Sequence, residues 1–230
     1  MQKRLVRKLD LEKAISKIEP HPTPKAYLEQ YTIPPETAAE ILYIAAYTNN
    51  DIIDKTIVDL GCGTGRLAIG SVLIGAKETF GVDIDRVAIK TAYKNAEKMN
   101  VKEKTHWVLA DVDAIHGSFD TVLQNPPFGV QRKGADRKFL EKSLALGHRI
   151  YSLHKSGESN RDFIKKLRGS GTRFLPVPPS PFLKRFIEKR GGKIEAVYAM
   201  LMTIPYMFDF HRKRKHEFIV DLYIIKGTAK

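Results

Sequence analysis

Cysteine is nearly missing from this chain, with Cys62 alone among 230 residues. A lone thiol excludes an intrachain disulfide framework and any zinc site built from several cysteines. No apolar run reaches the length of a membrane span, so no spanning helix is expected. The first residues, MQKRLVRKLDLEKAISKIEP, lack the apolar centre of a signal peptide, and the cytoplasm is the expected location. Internal repeats and low-complexity tracts are lacking too. There is no G-x-x-x-x-G-K-[ST] phosphate loop. The one glycine-rich turn after a candidate strand is spaced G-x-G-x-G, with Arg66 where a dinucleotide fingerprint needs its third glycine, which argues against NAD or FAD.

What is present is enough apolar material for a core, 43% hydrophobic, with 28% charged residues. The charge is uneven. Residues 1–55 carry 8 basic and 8 acidic side chains, residues 56–128 carry 8 and 9, and residues 129–230 carry 23 and 9. The whole excess of +13 therefore falls in the last segment, whose sharpest cluster is His211-Arg212-Lys213-Arg214-Lys215-His216. A polyanionic partner such as RNA or DNA accounts for that asymmetry. A lysine-rich solvated face accounts for it equally well, and the low count of 6 Asn and 4 Gln fits a heat-adapted surface.

Along the chain, residues 4–18 carry Leu11, Ile15 and Ile18 on one helical face and stop at Pro20. Five prolines in residues 20–35 enforce extended or turn structure. Glu36–Tyr47 is an apolar helix behind Pro34 and Pro35. An alternation of strands and helices follows. The strands are Thr56–Leu60, Thr79–Val82, His106–Ala110, Phe119–Gln124 and Arg149–Leu153; the helices are Arg66–Ile74, Arg86–Met99 and Arg137–Leu146. This rhythm predicts a mostly parallel, doubly wound α/β sheet. Ala196–Thr203 and Phe218–Ile225 read as an antiparallel pair near the C-terminus. Residues 169–192 hold Pro176, Pro178, Pro179 and Pro181 among aromatic and aliphatic residues, and read as an insertion packed on the body or closing over a ligand. The expected organisation is an N-terminal helix and Pro-rich segment over 1–35 and one domain over 36–230.

Ligands of open parallel sheets sit beyond the carboxyl ends of the strands. The first strand end carries Asp59, Gly61, Gly63, Thr64 and Gly65, where glycine lets a ligand press on backbone N–H groups. Asp83 ends the second strand and can accept from both hydroxyls of a ribose. Asp111 ends the third and can accept from an adenine amine, with the Val112 N–H facing the ring. The competing reading is that both aspartates cap the helices that follow. The fourth strand ends in Asn125-Pro126-Pro127-Phe128. A planar amino group is a poor nucleophile because its lone pair is delocalised. The Asn125 side-chain oxygen and the Pro126 carbonyl could each accept one amine hydrogen and concentrate density on nitrogen. Two prolines keep the turn rigid, and Phe128 can stack on the planar group.

The DLGCGTG turn, Asp83 and the NPPF tetrad resemble class I S-adenosylmethionine-dependent methyltransferases of Rossmann-like fold that modify planar nitrogen. Leu28-Glu29-Gln30-Tyr31, Lys133-Gly134, Phe139-Leu140, the Tyr151–Ser156 segment and Phe210-His211 extend that likeness to the methyltransferase-like protein 5 family. The resemblance implies methylation of the exocyclic amine of an adenine in small-subunit ribosomal RNA. It implies S-adenosyl-L-methionine as cofactor and a small zinc-binding methyltransferase activator as partner. It places Gln30, Gly61, Thr64, Arg66, Asp83, Asp111 and Val112 at the cofactor. The family's threonine after LEQY is displaced by one position here, which leaves Thr32 as the candidate. Lys133, Lys155, Arg212, Lys213, Arg214 and Lys215 are candidate RNA contacts, and His154 could also touch phosphate. Two other acceptors fit the same chemistry, a protein glutamine amide and a DNA adenine. A further alternative is an RNA-binding module without turnover.

Overall fold

The computed structural model describes residues 7–129, 134–157, 161–169, 172–205 and 215–229. Its frame is a sheet of eight strands: β1 (Thr56–Leu60), β2 (Glu78–Asp83), β3 (Thr105–Leu109), β4 (Phe119–Gln124), β5 (Gly147–Lys155), β6 (Phe174–Pro176), β7 (Lys193–Pro205) and β8 (Lys215–Lys226). Their order is β3-β2-β1-β4-β5-β8-β7-β6. The first five run parallel, and β8 pairs antiparallel with β5. The expected antiparallel pair is present as β7 and β8, paired from Lys193↔Lys226 to Pro205↔Lys215 with one register shift between Ile194 and Ala196.

Central strands covered on both faces must be apolar throughout, and β1, TIVDL, is buried from its second residue onward. Among the described residues the α-helices are α1 (Lys8–Ile15), α2 (Pro35–Tyr43), α3 (Arg66–Ile74), α4 (Arg86–Lys98), α5 (Ala135–Leu146), α6 (Arg161–Gly169) and α7 (Pro181–Glu188). Pro35 opens α2, where a missing N–H costs nothing. Asp85 caps α4 by accepting the Val87 N–H. One core layer joins Leu11, Ile15 and Ile18 of the N-terminal segment to α2, α3 and one sheet face. The opposite layer joins Leu140 and Leu144 of α5 and Leu183 and Ile187 of α7 to the other face. Among the described residues no helix is long and apolar enough to cross a membrane.

The Pro-rich stretch is built into this frame. It supplies β6, antiparallel to β7 at the sheet edge, and the amphipathic α7. Proline is tolerated at an edge because one row of N–H groups there has no ladder partner. None of the described residues in 169–192 lines the cavity described next.

Candidate active site

The carboxyl ends of β1, β2 and β4 open into a cavity of about 370 Å³. It lies where the strand order turns back between β1 and β4, the usual ligand position in such sheets. After β1 the chain makes a tight turn whose Gly61 and Cys62 N–H groups donate to the Val82 carbonyl at 2.8 and 2.9 Å. Gly63 adopts φ +54° and donates its N–H to Asp83 Oδ2 at 2.9 Å. Asp85 N–H donates to Asp83 Oδ1 at 2.8 Å. Both carboxylate oxygens are thus aimed before any ligand arrives, and each keeps acceptor capacity. Burial pushes the Asp83 carboxyl up, against the pull of these two N–H groups. Asp59 lies wholly buried beneath the turn and accepts the Ala68 N–H at 3.1 Å; burial pushes its pKa up to about 7.

At the β3 end, Asp111 Oδ1 accepts the Asp113 N–H at 2.9 Å, so the capping reading holds in part. The same oxygen pairs with Lys138 Nζ at 2.7 Å, and Lys138 also reaches Asp113 at 3.0 Å. These bonds raise the Lys138 pKa, the Asp111 contact most. Lys138 comes from the first turns of α5, just after the NPPF segment, and it faces this side of the cavity.

The N-terminal segment closes a third side. Gln30 donates to Asp85 Oδ2 at 2.9 Å and accepts the Lys25 N–H at 2.7 Å. Lys25 Nζ also reaches Asp85, at 2.9 Å, and His21 Nε2 lies 3.5 Å from it. Burial pushes the Asp85 carboxyl up, but the Gln30 and Lys25 bonds outweigh this and hold it below the carboxylate range. Arg66 lines the cavity, yet its guanidinium donates to the carbonyls of Ile33 and Ile18, tying the segment to α3. Burial pushes the Arg66 pKa down to about 10.

The fourth side is the turn after β4. Asn125 Nδ2 donates to the Tyr31 carbonyl at 3.5 Å. Its Oδ1 is buried and has no hydrogen-bond partner among the described residues. Buried acceptors are almost always paired, so an orphan on a cavity wall marks a place for a ligand's donor. The Phe128 N–H donates to Glu29 Oε2 at 2.8 Å.

The structure brings together around this cavity Gln30, Thr32, Asp59, Gly61, Gly63, Thr64, Arg66, Asp83, Asp111, Val112, Asn125 and Pro127. Gly65, Pro126 and Phe128 stand off it. Gly65 turns its N–H to the Cys62 carbonyl at 2.9 Å, and Pro126 is buried. Phe128 meets Phe218 of β8 edge-on, ring centres 6.1 Å apart. His154 is corrected from a phosphate contact to a core residue. β5 runs past Leu153 and pairs with β8, so His154 is buried, bonded to Ser152 Oγ at 2.8 Å, and its pKa falls to about 4 through burial. Lys155 is exposed at the end of β5. Lys133, Arg212, Arg214 and Lys213 lie outside the described residues, and Lys215 is described only as the start of β8. Sequence reading passed over Glu29, His21 and Phe139 on the wall; for Glu29 the LEQY tetrad held the signal.

Comparison with known proteins follows the same division. The sequence model of the ribosomal protein L11 methyltransferase (PrmA) family matches residues 37–126. The rRNA N(6)-adenosine-methyltransferase Mettl5 of Drosophila melanogaster is 41% identical, over 68% of this chain and 75% of its own length. The METTL5 enzyme of Danio rerio is 32% identical over 92% of this chain and 95% of its own. A crystal structure of a candidate RNA methyltransferase, PH1948 of Pyrococcus horikoshii, is 33% identical and superposes with a TM-score of 0.80, covering 97% of this chain and 99% of that one.

Proposed function

The chain belongs to the METTL5 (methyltransferase-like protein 5) family, and from that premise we propose that it methylates the exocyclic amine of an adenine in small-subunit ribosomal RNA. The observation that carries the reading is the orphaned Oδ1 of Asn125, a residue that lines the cavity. The residues present fit S-adenosylmethionine. Asp83 offers a pre-aimed carboxylate for the ribose hydroxyls, and Asp111 with the Val112 N–H suits an adenine edge. When bound, S-adenosylmethionine supplies an electrophilic methyl group; nitrogen gains the N–C bond, the C–S bond breaks and a neutral thioether leaves.

The chain's own residues prepare the nitrogen. Tyr31 accepts from the Asn125 amide nitrogen, which leaves Oδ1 as the acceptor that this side chain keeps for a ligand. That oxygen takes one amine hydrogen, which concentrates electron density on the nitrogen. A strong base is unnecessary, because the methylated nitrogen is acidic until water removes its proton. A duplex or stacked adenine must first leave its stack to reach such a pocket. The PrmA match ends at Pro126 and covers the cofactor half, so it favours no protein acceptor over RNA.

Residues 36–230 act as the methyltransferase domain, with 1–35 closing the cofactor side. The protein works in the cytoplasm, with RNA as substrate and a small zinc-binding activator as partner. Lys155 and the basic run at 212–215 contact RNA phosphate.

The test incubates purified protein and labelled S-adenosylmethionine with separate pools of small-subunit rRNA, large-subunit rRNA, tRNA, DNA and protein. Label is expected in small-subunit rRNA, recovered as N6-methyladenosine after digestion. Label in the protein pool, recovered as methylglutamine, would overturn the proposed acceptor.

A further inference from the structure

We infer that Glu29 is a positioning residue for transfer: its carboxylate holds the Asn125–Phe128 turn and so fixes the amine acceptors. The inference rests on the reading of Asn125 given above. It starts from a shortage of donors. β4 leaves the ladder with β1 at the Leu60↔Gln124 pair, so the turn beyond has no strand partner there. Pro126 and Pro127 have no N–H, which makes the Phe128 N–H the first backbone donor after Asn125. Glu29 takes that donor at 2.8 Å. A bond to a carboxylate is stronger than one to a neutral oxygen, and Glu29 is only 8% exposed.

Glu29 adopts φ +52°, which a residue with a Cβ rarely does. Such a conformation persists where its surroundings over-determine it. Here the next two residues supply the constraint. The Tyr31 N–H donates to the Glu29 carbonyl at 2.7 Å, and the Gln30 amide is clamped by Asp85 and the Lys25 N–H. The Tyr31 carbonyl then receives Asn125 Nδ2. Three consecutive residues therefore link the β2–α4 turn beside the ribose carboxylate Asp83 to the turn that receives the amine. Glu29 supplies the link to the backbone, and Tyr31 supplies the link to the side chain.

The test compares Glu29→Gln with Glu29→Ala in the full chain. Both remove the charge, so any attraction between the carboxylate and the cationic cofactor cancels between them. Only Gln keeps an oxygen that can accept the Phe128 N–H. At saturating S-adenosylmethionine, with a small-subunit rRNA transcript, the Gln variant is expected to exceed the Ala variant in kcat by about tenfold or more, since small misplacements of reacting groups are costly. Amide exchange at Phe128 is expected to stay slow in the Gln variant and quicken in the Ala variant. Equal kcat values and equal exchange in the two variants would overturn the inference. If wild type methylates no RNA, the proposed function fails while the exchange comparison still decides the role of Glu29.

Discussion

The Asn125 side chain is split between two tasks: its nitrogen is bound to the Tyr31 carbonyl and its oxygen has no partner among the described residues. Asn125→Ala removes the preorganised acceptor without touching Asp83 or Asp111. Transfer is therefore expected to fall by about a hundredfold or more. Cofactor affinity, read by titration calorimetry, should stay within a few-fold of wild type; activity above a tenth of wild type would count against an acceptor role. Asp83→Ala should do the reverse. It deletes the acceptor that anchors the Gly63 N–H, and S-adenosylmethionine binding should weaken about tenfold to a hundredfold. His154 carries a different kind of prediction. Its pKa is about 4 in the fold and ordinary when unfolded, so the fold favours the neutral ring. Its contribution is complete above the unfolded value near 6.5 and is lost as pH falls from there toward 4. Across that window the loss is about 3 kcal/mol. Urea melts at pH 7 and pH 4.5 should show a steeper drop for wild type than for His154→Gln; parallel curves would mean that the ring titrates normally.

At the scale of elements, the strand-end chemistry was legible and the edge of the sheet was not. Asp83 and Asp111 could be placed because a β-α-β rhythm fixes where strands end, and β2 and β3 end within a residue or two of them. β6, α6 and α7 were missed for a local reason. Three residues beside several prolines, Phe174–Pro176, carry too little alternation to read as a strand, and only pairing with β7 makes them one. His154 was misplaced because β5 was ended at Leu153, two residues before its pairing with β8 stops. The N-terminal segment shows the same limit. Its prolines announced an extended path, but nothing in them announced that Arg66 would hold that path from below. Arg66→Met tests this tie. It leaves the Ile18 and Ile33 carbonyls without their donor and should cost about 1–3 kcal/mol. Exchange of backbone amides over residues 18–33 should quicken, and S-adenosylmethionine should bind more weakly. Unchanged exchange there would show that Asp85, together with the Asn95 side chain that accepts the Glu19 N–H and donates to the Glu19 carbonyl, both at 3.1 Å, holds the segment without help from Arg66.

For the whole molecule, the division of charge coincides with a division of labour. Residues 1–128 supply most of the cavity wall and carry almost no net charge, while residues 129–230 carry the excess. The active-site mouth lies at the boundary, because β4 ends at Gln124 and the chain then passes into α5, β5 and the antiparallel extension. A polyanion docking on the basic part would therefore reach Asn125 from one side, with the cofactor held from the other. Two binding reactions of one protein should then respond differently to salt. RNA affinity, measured by fluorescence anisotropy, should fall by about a hundredfold or more between 50 and 200 mM salt, if several phosphates are neutralised. S-adenosylmethionine affinity should change little, because the groups proposed to hold it are buried or half-buried and salt screens such interactions weakly. Lys155→Ala should lower the slope of log affinity against log salt by about 0.7, one phosphate's share on a single strand. A flat salt response for RNA would assign the basic excess to solvated surface and leave the strand-end residues as the sole sequence evidence for a nucleic-acid substrate.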